Sequence, residues 1–174
     1  MPAGNTYVAI ATETLASAQS SVTFSSIPST YTDLILVCSM FPTTTATGNY
    51  GQIQVGNGSV DTGSNYSDTA MYGNTTTTNS YRDTSQSLWW LNVAGANFQS
   101  ATSPLISIIN IMNYSNATTN KTALIRSGNP AGSVTYADVA LWRSNSAINT
   151  VKVMISASTF AAGSTFSLYG IASA

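Results

Sequence analysis

The sequence predicts an all-β fold: an antiparallel β-sandwich, jelly-roll-like, with about eight to ten short strands. Three observations predict it. Apolar residues recur at a spacing of two, and no long stretch repeats them at the helical spacing of 3.6. The segments that carry them are short and rich in β-branched and aromatic residues. Clusters of Gly, Asn, Ser, Thr and Pro separate them at fairly even intervals, as turns do in sandwiches.

Taken in order, the segment around Tyr7 to Ile10 reads as an extended lead-in strand, with residues 1–6 before it as an N-terminal arm. Val22-Thr23-Phe24-Ser25 alternates apolar and polar, and Ile27-Pro28 stops it because proline removes a ladder donor. The run Leu34-Ile35-Leu36-Val37-Cys38 fits an inner strand buried on both faces, ended at Phe41-Pro42. Residues 43–49 form a flexible loop by composition. Ile53 and Val55 lie on a strand that runs into Gly56-Asn57-Gly58, a strong turn signal.

The tract Asn74-Thr75-Thr76-Thr77-Thr78-Asn79 predicts a long exposed loop. Residues 81–93 include Leu88-Trp89-Trp90-Leu91, an apolar strand whose two Trp must point to opposite faces. Residues 105–112 make a core strand, followed by shorter strands over 122–126 and 135–142. Val151, Val153 and Ile155 then alternate with Lys152 and Met154, and Phe166, Leu168 and Gly170 with Ser167, Tyr169 and Ile171. Residues 61–72 and 95–102 leave room for one or two helical turns and no more.

Composition narrows the function. The 174 residues suit one domain, 1–174, with a proper core. Charged residues make up 6% of the chain against the ~25% usual for soluble domains. Ser and Thr, about three residues in ten, replace them, while nine Tyr, five Phe and three Trp supply large buried areas. Neutral hydroxyls and amides desolvate more cheaply than charges, which suits a protein that spends its life docked against other surfaces.

The five cations, Arg82, Lys121, Arg126, Arg143 and Lys152, are scattered, so neither nucleic acid nor an anionic membrane is an expected partner. No apolar run approaches the ~18 residues that span a bilayer, and the N-terminal stretch has no basic-then-apolar secretory pattern. The one cysteine, Cys38, reads as a buried inert thiol.

Catalytic chemistry is scarce. There is no histidine, which removes the commonest general base and metal ligand together. Six carboxylates remain: Glu13, Asp33, Asp61, Asp68, Asp83 and Asp138. A glycosidase would need two facing each other across a substrate, and Asp61 and Asp68 are the nearest pair in sequence. Their setting among Gly, Ser and Asn fits turn caps better than a dyad or a calcium loop. The Gly-rich stretches lack the strand-to-helix context of a phosphate cradle. No enzyme activity, catalytic residue, metal or cofactor is expected. Trp89, Trp90, Trp142 and Arg143 are the candidate interface residues, because one Trp of the Trp89-Trp90 pair must face outward as an anchor for a protein or, less in favour, a glycan.

Two segments carry a family resemblance. One runs from Ala11-Thr12-Glu13-Thr14-Leu15 through Val22-Thr23-Phe24-Ser25-Ser26-Ile27-Pro28 to Asp33-Leu34. The other is Trp142-Arg143-Ser144, Ile148-Asn149, then Phe160-Ala161-Ala162-Gly163-Ser164-Thr165-Phe166-Ser167-Leu168-Tyr169-Gly170-Ile171. Together with Gly63-Ser64-Asn65-Tyr66 they span about half of the chain and resemble a family of small jelly-roll-like structural proteins of tailed phages, common in marine and freshwater phages. The chain departs from that family in having no basic residue over 51–55.

The resemblance implies a virion protein. The favoured role is capsid decoration, or cement, as a homotrimer on the head surface that contacts the major capsid protein or other virion proteins. The alternative is a tail-fibre, tail-tip or head-fibre module that binds a host receptor or surface glycan, with the loops at 43–49 and 74–79 as recognition elements.

Overall fold

A computed structural model describes residues 6–45, 48–92 and 100–172. Within them the chain forms thirteen strands, more than the eight to ten expected, and the strands expected at 122–126 and 135–142 are longer, nine residues each. The first five are β1 (Tyr7–Thr14), β2 (Ser21–Phe24), β3 (Asp33–Met40), β4 (Gly51–Asn57) and β5 (Ser59–Val60). Then come β6 (Tyr66–Gly73), β7 (Thr78–Gln86), β8 (Trp89–Trp90) and β9 (Leu105–Met112). The last four are β10 (Lys121–Asn129), β11 (Val134–Trp142), β12 (Thr150–Ile155) and β13 (Thr165–Ile171). A short 3-10 turn, Pro130–Gly132, joins β10 to β11.

Eight strands wrap as a jelly roll. β1-β13-β3-β9 are neighbours in one antiparallel sheet, and β2-β12-β4-β8 in the other. Counting only these eight in chain order, the first sheet runs first, eighth, third, sixth, and the second runs second, seventh, fourth, fifth. That is the double Greek key of a jelly roll. The remaining strands are insertions. β5 shares the outer edge of β4 with β8, pairing at Gly56–Asn57 where β8 pairs at Gln52–Ile53. β6–β7 and β10–β11 meet beyond β9, so the first sheet continues β9-β10-β11-β6-β7 and reaches eight strands. These four inserted strands form a wing on the jelly roll.

The core lies between the sheets and follows the period-two pattern. Leu34, Leu36, Cys38 and Met40 of β3 face Ile53 and Val55 of β4 and Val151 and Val153 of β12 across one apolar cluster. Phe166 and Leu168 of β13 complete it, with Phe160 edge-on to Phe166 at 5.1 Å. Cys38 is fully buried and unpaired, and burial pushes its thiol far above the ordinary range. Gly163 adopts φ +86 in the turn before β13, a conformation that favours glycine. Gly170 is required for a different reason: a Cβ there would sit 2.2 Å from the Tyr31 ring, which lies flat on the β13 backbone.

Four expectations change. The tract 74–79 is no long loop: Asn74 Oδ1 accepts from the Thr76 and Thr77 amides at 2.9 Å each, closing a tight turn, and Thr78 and Asn79 already belong to β7. Residues 66–72, open to a helical turn, are strand, because Tyr66, Asp68 and Ala70 alternate inward against β11. Residues 93–99, most of the other such segment, lie outside the described residues. The apolar strand at 88–91 shrinks to Trp89–Trp90. Finally, Thr43 and Thr44 are tied by hydroxyl contacts of 2.9–3.2 Å to Ser158 and Thr159, which fixes the start of the 43–49 loop. Its residues 46–47, and residues 1–5 of the expected arm, fall outside the described residues.

Candidate functional site

Of the four residues expected at an interface, two are interior. Trp89 is fully buried and Trp142 is 2% exposed. Both pack on Tyr66, Trp89 edge-on at 5.4 Å and Trp142 near-parallel at 6.5 Å. Their polar ends are satisfied: Trp89 Nε1 donates to the Leu141 carbonyl at 3.1 Å, and Trp142 Nε1 to Asp61 Oδ2 at 2.8 Å. The Tyr66 hydroxyl in turn accepts from the Val55 amide and donates into the carbonyls of Val55 and Asp61. This trio joins wing to jelly roll. Arg143 is half-buried and donates to the Ser64 carbonyl at 2.6 Å. Trp90 alone turns outward, half-exposed, with Tyr50 edge-on at 5.5 Å.

Asp61 is a turn cap, as its sequence setting suggests. Its carboxylate accepts from the Gly63 amide and the Asn65 side chain, each at 2.8 Å, and from Trp142. Burial pushes this carboxyl up, but the three hydrogen bonds together hold it below its usual value. Asp68 is no cap. It sits inside β6, 3% exposed, and its neighbours in space are Asp83 and Asp138 rather than Asp61.

The register explains this grouping. β6 and β11 carry one pattern, aromatic-x-Asp-x-Ala-x-aromatic: Tyr66, Asp68, Ala70, Tyr72 and Tyr136, Asp138, Ala140, Trp142. They pair antiparallel, so Asp68 lies opposite Ala140 and Asp138 opposite Ala70, each carboxylate beside a small partner that leaves it room. Across β7, Asp68 pairs with Asp83 and Ala70 with Tyr81. Burial first, then the charge of Asp83, pushes Asp68 up to about 6 against the pull of the Tyr81 hydroxyl. Burial, then the charge of Asp68, pushes Asp138 up to about 7, although the Tyr136 hydroxyl and the Thr69 amide oppose it. Neither Asp68 oxygen, nor Oδ1 of Asp138, has a well-formed hydrogen bond among the described residues. Tyr81 and Tyr136 share a hydroxyl contact of 2.8 Å, and the Tyr136 hydroxyl reaches Asp138 Oδ2 at 3.1 Å. The repeated pattern was the one signal in the sequence that could have found this cluster.

In front of the cluster lies a cleft of about 370 Å³ between the wing and the end of the smaller sheet. The wing lines it with Tyr72, Asn79, Tyr81 and Asp83, and the opposite wall is Tyr50, Trp90 and Asn92. No group of three or more Cys, Asp or Glu positioned for a metal occurs among the described residues.

The opposite face of the eight-stranded sheet has another character. The register aligns Ile35, Asn110, Leu124, Val139, Thr69 and Arg82 in one cross-sheet row. The next row holds Val37, Ile108, Arg126, Ala137, Met71 and Ser80. Met71 is 64% exposed, Val139 57%, Leu124 41% and neighbouring Ile106 38%, so none of the described residues covers them. Neither row contains a carboxylate, and Arg126 is held by Asn110 Oδ1 at 2.9 Å. Comparison with protein-family models, curated proteins and solved structures finds no match to this chain.

Proposed function

We propose that this chain is a non-enzymatic structural protein that docks on neighbouring protein subunits through the outer face of its eight-stranded sheet, in the manner of a capsid decoration protein of a tailed phage. The observation that carries the reading is the open apolar face around Leu124, Val139 and Met71. Isolated surface apolar residues need no explanation, but a contiguous patch on a sheet with no covering layer marks a contact surface. With strands about 4.8 Å apart and residues rising about 3.3 Å, eight strands present a face on the order of 900 Å². A standard interface takes about 800 Å² from each partner. Arg82 and Arg126, with no carboxylate in their rows, select a partner surface that is apolar and carries acidic groups opposite them.

The family resemblance supports the phage reading, the trimer and the capsid protein as partner. The low charge of the chain fits a permanently docked protein. The test compares the wild-type chain with Val139→Lys, which adds a charge to the centre of the face at a stability cost within about 0.5 kcal/mol. Wild-type protein is expected in purified particles at a copy number comparable to the major capsid protein, and Val139→Lys is expected to be lost from them while still folding. Equal incorporation of the variant, or a copy number of a few per particle, overturns the reading.

A further inference from the structure

We infer that the cleft between the wing and the smaller sheet is a saccharide-binding site, selective for neutral or amine-bearing sugars of one or two rings and independent of the docking face. Three observations converge on it. The first is the lining: Tyr72 and Tyr81 on the wing oppose Tyr50 and Trp90 on the smaller sheet. Sugar rings present apolar C–H faces that stack on such rings, and Trp90 is already set at 82° to Tyr50, so one ring offers its face while the other buttresses it. Aromatics on both walls are what a ring-shaped ligand needs, and an interface anchor needs only one.

The second is the polar equipment. Asn79 and Asp83 stand beside the rings, an amide and a carboxylate able to bridge neighbouring hydroxyls. The third is the field behind the wall. Asp68, Asp83 and Asp138 gather on the wing's inner face, and among the described residues no Lys or Arg lines the cleft. A carboxylate or sulfate on the ligand would meet repulsion there, whereas a hydroxyl or amine would not.

The volume, about 370 Å³, falls at the low end of the ~300–1,000 Å³ of small-molecule sites and is more than a trimethylammonium head would fill. An aromatic cage for a quaternary ammonium is therefore the less suited reading. The pairing of Tyr81 with Tyr136 holds the wing's aromatic wall in place before any ligand arrives.

The test is isothermal titration of the full chain with a panel of neutral, amino and acidic disaccharides, and with choline. At least one neutral or amino disaccharide is expected to bind saturably with millimolar or tighter Kd, with acidic disaccharides at least tenfold weaker. Trp90→Ala and Tyr72→Ala should each weaken that binding at least tenfold, and Val139→Lys on the far face should leave it unchanged. Urea midpoints of both cleft variants establish that they fold. Saturable binding of choline alone, preference for acidic sugars, absence of any saccharide binding, or binding unaltered in both folded cleft variants would each overturn the inference.

Discussion

The wing continues one of the two sheets of the jelly roll, yet the two regions bury different chemistry. Between the two sheets of the jelly roll, β3, β9, β12 and β13 turn inward a nearly unbroken set of Leu, Ile, Val, Met and Phe. On the wing the same inward positions of β6, β7 and β11 hold Tyr66, Asp68, Tyr81, Tyr136, Asp138 and Trp142. The first region maximises apolar area removed from water. The second keeps three carboxylates on one face, two of them buried enough that their charged forms are disfavoured. The apolar burial that stabilises the chain is therefore concentrated in the jelly roll, and the wing carries the polar groups on which the inferred saccharide site draws.

The sharpest way to break this division is one truncation in each region, a core side chain in the jelly roll and a hydrogen-bond acceptor at the wing. Phe166→Ala, in the jelly-roll core against Phe160, is expected to cost about 3–5 kcal/mol in urea unfolding. Asp61→Ala, at the root of the wing, leaves Trp142 Nε1 without its acceptor and is expected to cost about 1–3 kcal/mol. If the two costs were equal, the wing would be as structural as the core.

The mildest change sharpens the contrast through pH. A carboxyl raised from the usual 3.8 to about 7, as Asp138 is, keeps its proton in the folded chain where the unfolded chain has lost it. Its contribution to stability is therefore highest at low pH and falls as pH rises from about 4 to about 7; for Asp68 the window closes near 6. The facing groups, Asp83 and Tyr81 on β7 and Tyr136 on β11, add no cation to offset this. Asp61 has the opposite sign: its carboxyl is lowered, so its contribution is lost as pH falls below 3.8. Stability should therefore peak near pH 4–5, and Asp138→Asn should raise the Tm by a few degrees at pH 8 while changing it little at pH 4. A variant that lowers the Tm at pH 8 would mean that the ionised carboxylate supports the fold.

Much of the jelly roll was legible because it obeys period two. The strand at 105–112 and the alternations of β12 and β13 follow directly from which residues must avoid water. β7 was hidden. Thr-Asn-Ser-Tyr-Arg-Asp-Thr-Ser-Gln has one aromatic and no apolar alternation, since an edge strand over a cleft buries little. The Trp pair was half legible: alternation put Trp89 and Trp90 on opposite faces, but not which of them the wing would cover.

By itself, the sequence determined that this chain is all-β, poor in charge, without histidine and with a single cysteine inside an apolar run, because composition and spacing act locally. Only the tertiary structure decided that Asp68, Asp83 and Asp138, separated by up to 70 positions, share one face. It also decided that Trp142 is core, Trp90 is cleft, and Leu124 and Val139 stand uncovered. Those outcomes depend on which strands pair and in what register, and pairing is settled by the packing of the whole sandwich rather than by any one segment.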